Sequence, residues 1–171
     1  MNVSPRGQAV IEAASLVLGP GLMSVGDLLH PPESWDAAAQ VAIVAKSTSR
    51  WYTAHLLLFV GMLLLVPGLL AITRLVGIRR PAIGYAARLL VLVSVGAFSA
   101  VTSYEMLLGS FLSQGADPTV AVKLVQALQS GVMMVLLPFL LAFFVGTLLA
   151  VVPLASRPGP LRLPALALGL G

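Results

Sequence analysis

Cysteine is absent from the 171-residue chain, which excludes a disulfide framework, a thiolate metal site and a cysteine nucleophile. Charge is nearly as scarce: 9% of residues are Asp, Glu, Lys or Arg, against about a quarter in soluble domains. A water-soluble domain of this length would need many more charges to cover its surface. Six acidic residues and two histidines show no metal-ligand spacing and no nucleophile–base set, so no metal, cofactor or catalytic residue is expected. The net charge of +4 does not point to nucleic acid, because the arginines stand beside helix ends rather than in a stripe. Arginine outnumbers lysine eight to two. With abundant Ala, Leu, Val and Gly, that bias fits a GC-rich bacterial genome.

What the chain has in excess is hydrocarbon, at 58% of residues. Runs over residues 54–72, 89–112 and 124–152 are each long enough to cross a bilayer, which takes about 20 apolar residues. The sequence therefore predicts an all-α fold: a single transmembrane domain of four helices near 9–29, 53–76, 89–112 and 124–152, joined by a short outer helix. The first span is the weakest, with Glu12, a Gly19-Pro20-Gly21 centre and Asp27. A signal peptide is its rival reading, but Glu12 falls within the would-be apolar region and no clear small-residue cleavage site follows. His30-Pro31-Pro32 stops the helix, because tandem prolines remove two N–H donors and push their predecessors out of the α region. Beyond it, residues 36–46 read as a helix lying on the membrane surface, capped by Ser34. Trp51 and Tyr52 then read as interfacial aromatics. Gly115 and Asp117-Pro118 mark the turn before the last span, and residues 163–171 are an apolar tail too short to cross.

The arginines set the expected orientation. With the N-terminus in the cytoplasm, Arg6, Arg74, Arg79, Arg80, Arg88, Arg157 and Arg162 lie inside, and Lys46, Arg50 and Lys123 outside. Seven against three obeys the positive-inside rule in every loop, with both termini cytoplasmic. Phe59-Val60-Gly61-Met62-Leu63-Leu64 also resembles Phe144-Val145-Gly146-Thr147-Leu148-Leu149, as two duplicated hairpins would.

One carboxylate, Glu105, lies inside the third span. An acid at mid-membrane costs about 2.5–3.5 kcal/mol on the insertion scale. It shares a helical face with Ser94, Phe98, Thr102 and Gly109, and that stripe is expected to face protein or water. The candidate intramembrane polar site is Glu105 and Thr102, with Gln129 and Ser130 from the fourth span and His55 from the second. A proton-linked or cation-binding carboxylate and a purely structural one remain open readings of Glu105. Direct pairing of His55 with Glu105 is disfavoured, because the two side chains lean apart in depth on antiparallel helices. An interfacial anchor is the plainer role for His55. Haem held by His30 and His55 is disfavoured too, since His30 abuts two prolines in a loop. Pro20, Pro67 and Pro138 lie near mid-helix and read as packing kinks. Glu12, near the inner end of the first span, is expected to snorkel to headgroups or Arg6.

The stretches Leu28-Leu29-His30-Pro31, Arg50-Trp51-Tyr52-Thr53-Ala54-His55-Leu56-Leu57 and Leu65-Val66-Pro67-Gly68-Leu69-Leu70 resemble a group of uncharacterised actinobacterial multi-pass membrane proteins. In those proteins an outer loop ends in a Trp-x-x-x-His turn before a leucine-rich helix. The likeness covers about the first half of the chain. It implies no activity, and it raises Trp51 and His55 as positions to test. Because such relatives are longer, it also implies that residues 163–171 begin a fifth segment.

The leading expectation is a non-enzymatic protein of the bacterial plasma membrane, in contact with the lipid bilayer and not with nucleic acid. The alternatives are a small carrier or ligand-binding protein centred on Glu105, and an accessory subunit associating with a membrane-protein partner or with itself through small-residue faces.

Overall fold

The computed structural model describes residues 4–156; the tail 163–171, Arg157 and Arg162 lie outside them. Six α-helices follow one another: α1 (Pro5–Leu29), α2 (Ala37–Lys46), α3 (Thr48–Gly77), α4 (Pro81–Ser113), α5 (Pro118–Ala127) and α6 (Met133–Ala155). A π-helical turn, Leu128–Val132, joins α5 to α6 without a break. Four helical rods, Pro5–Leu29, Thr48–Gly77, Pro81–Ser113 and Pro118–Ala155, are long and apolar enough to cross a membrane. In hydrocarbon every backbone N–H and C=O must be satisfied within the protein, and only helices or closed barrels achieve this. Long apolar runs therefore resolve as helices.

Polar punctuation sets the ends. Ser4 Oγ accepts from Gly7 N at 3.2 Å and Pro5 stands at the first helical position, where its missing donor costs nothing. Asp117 caps α5 in the same way, accepting from Thr119 N at 2.8 Å ahead of Pro118. Gly115, at φ +78°, makes the tight turn before it, a conformation that favours glycine. The expected cap at Ser34 is corrected: Asp36 caps α2, its carboxylate accepting from Ala39 N at 2.8 Å. Ser34 hydroxyl instead accepts from Asp36 N. The longer acidic side chain already sits at the residue before the helix, so it reaches the orphan donor first.

The helices pack as a row, α1 on α3, α3 on α4, α4 on α6, and among the described elements α1 touches only α3. Lipid tails are as apolar as leucine, so close approach of backbones, rather than the hydrophobic effect, holds such helices together. A methyl built on Gly19 would lie 2.9 Å from the Gly61 carbonyl oxygen, and one on Gly26 would lie 2.9 Å from that of Ala54. Gly19 and Gly26, seven residues apart, thus seat α1 against Ala54 and Gly61, seven apart on α3. Gly146 of α6 seats on α4 in the same manner, where a methyl would lie 2.9 Å from Leu90 Cβ. Each glycine of the repeated Phe-Val-Gly sequence thus faces the preceding long helix, Gly61 near the middle of α1 and Gly146 nearer the start of α4.

α2 folds inward. Its Ala37, Val41 and Val44 join Trp51, Leu108, Ala121 and Val125 in one core cluster at the His30 end of the bundle. The helix expected over 36–46 is present, and it packs against α3, α4 and α5. At the opposite, arginine-rich end, Arg74 donates to Glu12 of α1, and Gln8 Nε2 donates to the same carboxylate at 2.8 Å. Glu12 is thus paired with Arg74, correcting the expected partner Arg6, because antiparallel packing brings the last turns of α3 beside the first of α1.

Candidate functional site

Three of the expected site residues gather at the His30 end, though not as one set. The close approach at Gly26 and Ala54 fixes the geometry. Four residues past Gly26 stands His30; one past Ala54 stands His55. Their Nε2 atoms are 3.3 Å apart. Arg50 fastens the end of α1 by donating to the Leu29 carbonyl. Each imidazole is anchored through its other nitrogen, His30 Nδ1 at 2.7 Å from the Pro31 carbonyl and His55 Nδ1 at 2.9 Å from that of Trp51. The Trp51 indole stacks against both rings, with centroids 4.7 and 4.6 Å away. Its Nε1–H donates to the Glu105 carbonyl at 3.1 Å.

This corrects the reading of Trp51 and His55 as interfacial anchors. Trp51 is fully buried and His55 is 4% exposed. Exposed aromatics at this end include Trp35, 85% exposed, and Tyr52, 43% exposed. An indole whose N–H finds a carbonyl inside the bundle can be buried whole. No hydrogen bond joins His55 to Glu105 among the described residues, in keeping with the opposed lean of their side chains. The two rings meet edge-on, leaving no gap between them for a porphyrin.

Glu105 lines a cavity of about 140 Å³ with Glu33, Ser34, Gln40, Val125, Gln129 and Met133. The loop after α1 roofs it, held down where Ser34 N donates to Gln40 Oε1 at 2.7 Å. Glu105 Oε2 is buried and has no hydrogen-bond partner among the described residues. A carboxylate oxygen without a donor is costly to bury, by about 1–3 kcal/mol or more when charged, so it marks a place where a donor is wanted.

Gln129 reaches this cavity as expected, but Ser130 does not. Ser130 is exposed, and its hydroxyl donates to the Gln126 carbonyl at 2.7 Å. An undistorted α-helix would put Gln126, Gln129, Ser130 and Met133 on one face. The residues of this rod that line the cavity, Val125, Leu128, Gln129 and Met133, form one helical face, and Ser130 lies just beyond its edge. Thr102 is buried beside the site without serving it, its hydroxyl donating to the Phe98 carbonyl at 2.9 Å. Gly109, on the same stripe, lets Trp51 approach: a methyl there would sit 3.2 Å from the indole Cδ1.

Sequence reasoning passed over Glu33, Ser34 and Gln40 as site residues. Gln40 carried a signal, a lone amide amid the alanines and valines of α2. Comparison with protein-family models, curated proteins and solved structures finds no match to this chain.

Proposed function

We propose that this is a multi-pass protein of the bacterial plasma membrane that binds a small organic cation in the cavity around Glu105, without chemical conversion of it. The observation that carries the reading is the buried, unpartnered Oε2 of Glu105 beside a cavity with a second carboxylate, Glu33, at its wall. Among the described residues no Lys, Arg or His lines that cavity, so an anion would meet two acids and no counter-charge. An ammonium group supplies the missing donor and the positive charge together, and Gln40 and Gln129 offer further amide contacts. An engineered cavity of about 150 Å³ admits benzene, which sets the ligand's scale. Trp35, exposed at the rim, offers a face for a cation. A binding role rather than catalysis is supported by the nearby hydroxyl of Thr102, which is committed to a helix carbonyl. The arginine distribution supports cytoplasmic termini and hence a cavity open to the outside. The exposed apolar flanks of α1 and α6 suit lipid or a membrane-protein partner.

The test is thermal melting of the full chain in lipid nanodiscs with methylammonium, tetramethylammonium or acetate as probes. Methylammonium should raise the wild-type melting temperature in proportion to log concentration, tetramethylammonium, which has the charge but no N–H, should do so less, and acetate should not. Glu105→Gln keeps size and amide hydrogen bonding, so it should fold normally and lose the response. Equal stabilisation by acetate, or a full response in Glu105→Gln, would refute the proposal.

A further inference from the structure

We infer that His30, His55 and Glu33 form a binding site for a first-row divalent transition-metal ion, adjoining the Glu105 cavity and sharing Glu33 with it. The two carbonyls that face the Nδ1 atoms, Pro31 O and Trp51 O, can only accept. Each Nδ1 therefore carries its hydrogen, and in the neutral rings each Nε2 presents a lone pair. Those two lone-pair nitrogens are 3.3 Å apart while the ring centroids are 4.7 Å apart, so the nitrogens occupy the facing edges. Two acceptors turned toward each other, His55 buried and His30 half-buried, repel unless a cation lies between them.

The spacing identifies the cation. Two nitrogens each 2.0–2.1 Å from a tetrahedral zinc stand about 3.3–3.4 Å apart, which is the separation found here. A proton shared between the rings is the competing occupant at 3.3 Å, and the metal titration below tells the two apart. The surroundings are those of a metal-bound imidazole. A backbone carbonyl on the far nitrogen fixes the tautomer and raises ligand basicity, and here both rings have one. Trp51 packs against both rings, so the pair is held before any ion arrives. Imidazole and carboxylate donors without thiolate suit Zn²⁺, Cu²⁺ or Ni²⁺.

Glu33 supplies the third ligand. Its Oε1 is 3.6 Å from His30 Nε2, and the side chain is 71% exposed, so it turns without disturbing packing. As they stand, no three His, Cys, Asp or Glu side chains among the described residues close on one point; a rotation of Glu33 completes the set. Its negative charge offsets the ion's, while Arg50, the nearby cation, is held by the Leu29 carbonyl. Three protein ligands leave one coordination position open, as in zinc sites that bind water or substrate.

The experiment uses the full chain, purified without a polyhistidine tag and stripped with EDTA, then dialysed against Zn²⁺ or titrated with Co²⁺. One Zn²⁺ per chain is expected, with the intense visible bands of four-coordinate Co²⁺. His30→Gln and His55→Gln should each weaken binding at least about 100-fold, beyond the 10–100-fold typical of lost outer contacts. Glu33→Gln should weaken it about tenfold, and Glu105→Gln should leave it unchanged. That last variant separates this site from the cation cavity, whose response to methylammonium it should abolish. Wild-type protein should also melt higher in Zn²⁺ than in EDTA, a readout that requires no variant to fold. The inference is overturned if wild type retains no more Zn²⁺ than the His30→Gln/His55→Gln double variant. Weak octahedral Co²⁺ bands, or no Zn²⁺-dependent rise in melting, would overturn it equally.

Discussion

Replacing Gly61 by alanine tests how α1 is held to the rest of the molecule. A methyl at Gly61 would lie 2.6 Å from Met23 Cγ, 2.8 Å from the Gly19 carbonyl oxygen and 2.9 Å from the Met23 amide nitrogen. Two of those three atoms are backbone, so no side-chain rotation relieves the contact and α1 itself must retreat. Overpacking of this kind costs about 1–3 kcal/mol. Against it stands the gain in helix propensity, about 0.8–1.0 kcal/mol for Gly→Ala. Gly96→Ala is the matched control. It lies within α4, is exposed, and a methyl there meets nothing within 4 Å, so only the propensity gain applies. The difference between the two variants cancels that gain and isolates the steric cost at about 1–3 kcal/mol, or about 5- to 150-fold in the folded-to-unfolded ratio. Reversible unfolding in mixed micelles with increasing dodecyl sulfate measures it. Gly61→Ala should unfold at lower dodecyl sulfate than Gly96→Ala, and crosslinking between α1 and α3 should fall in parallel. Equal stabilities would mean that α1 does not seat on α3 through these glycines, and the packing argument would fail.

Because the chain lacks cysteine, Ser34→Cys and Ser156→Cys report topology cleanly: an impermeant thiol reagent on intact cells should label the first and spare the second, and the reverse pattern would invert the orientation. Trp51→Ala should cost about 3–5 kcal/mol, as for large core truncations, whereas Trp35→Ala should stay within about 0.5 kcal/mol. In a Trp35→Phe background the remaining Trp51 should emit to the blue and resist quenching by aqueous acrylamide; ready quenching would contradict its burial. Glu105→Leu removes an unpaired buried oxygen, so it should stabilise the protein by about 1–3 kcal/mol while abolishing methylammonium binding, and a destabilised variant would show that the carboxylate has a hidden partner. The Glu12–Arg74 pair is partly exposed, and a double-mutant cycle should give a weak coupling that fades as salt is raised.

The sequence by itself determined the all-α class and four long apolar rods, although each rod begins four to eight residues ahead of its apolar run. Those properties follow from local quantities, namely run length, proline and capping residues, which the bilayer makes decisive by forbidding an unsatisfied backbone. It also isolated Glu105 as the one acid deep in a span. What it did not encode is which face of each rod meets which neighbour. In a soluble helix the polar stripe gives that away, but here lipid and protein are both apolar and the periodicity that would separate them is faint. Only the tertiary structure placed Trp51 and His55 in the interior, joined Glu12 to Arg74, and brought His30 to His55 across 25 residues of chain. It alone turned Ser130 outward, because which edge of that helical face meets α4 is a matter of packing that the residue pattern does not announce. The sparse legible clue to the packing was the seven-residue spacing of Gly19 and Gly26 against Ala54 and Gly61. Small residues mark contact in a membrane because close backbone approach, rather than exclusion of water, is what binds helices there.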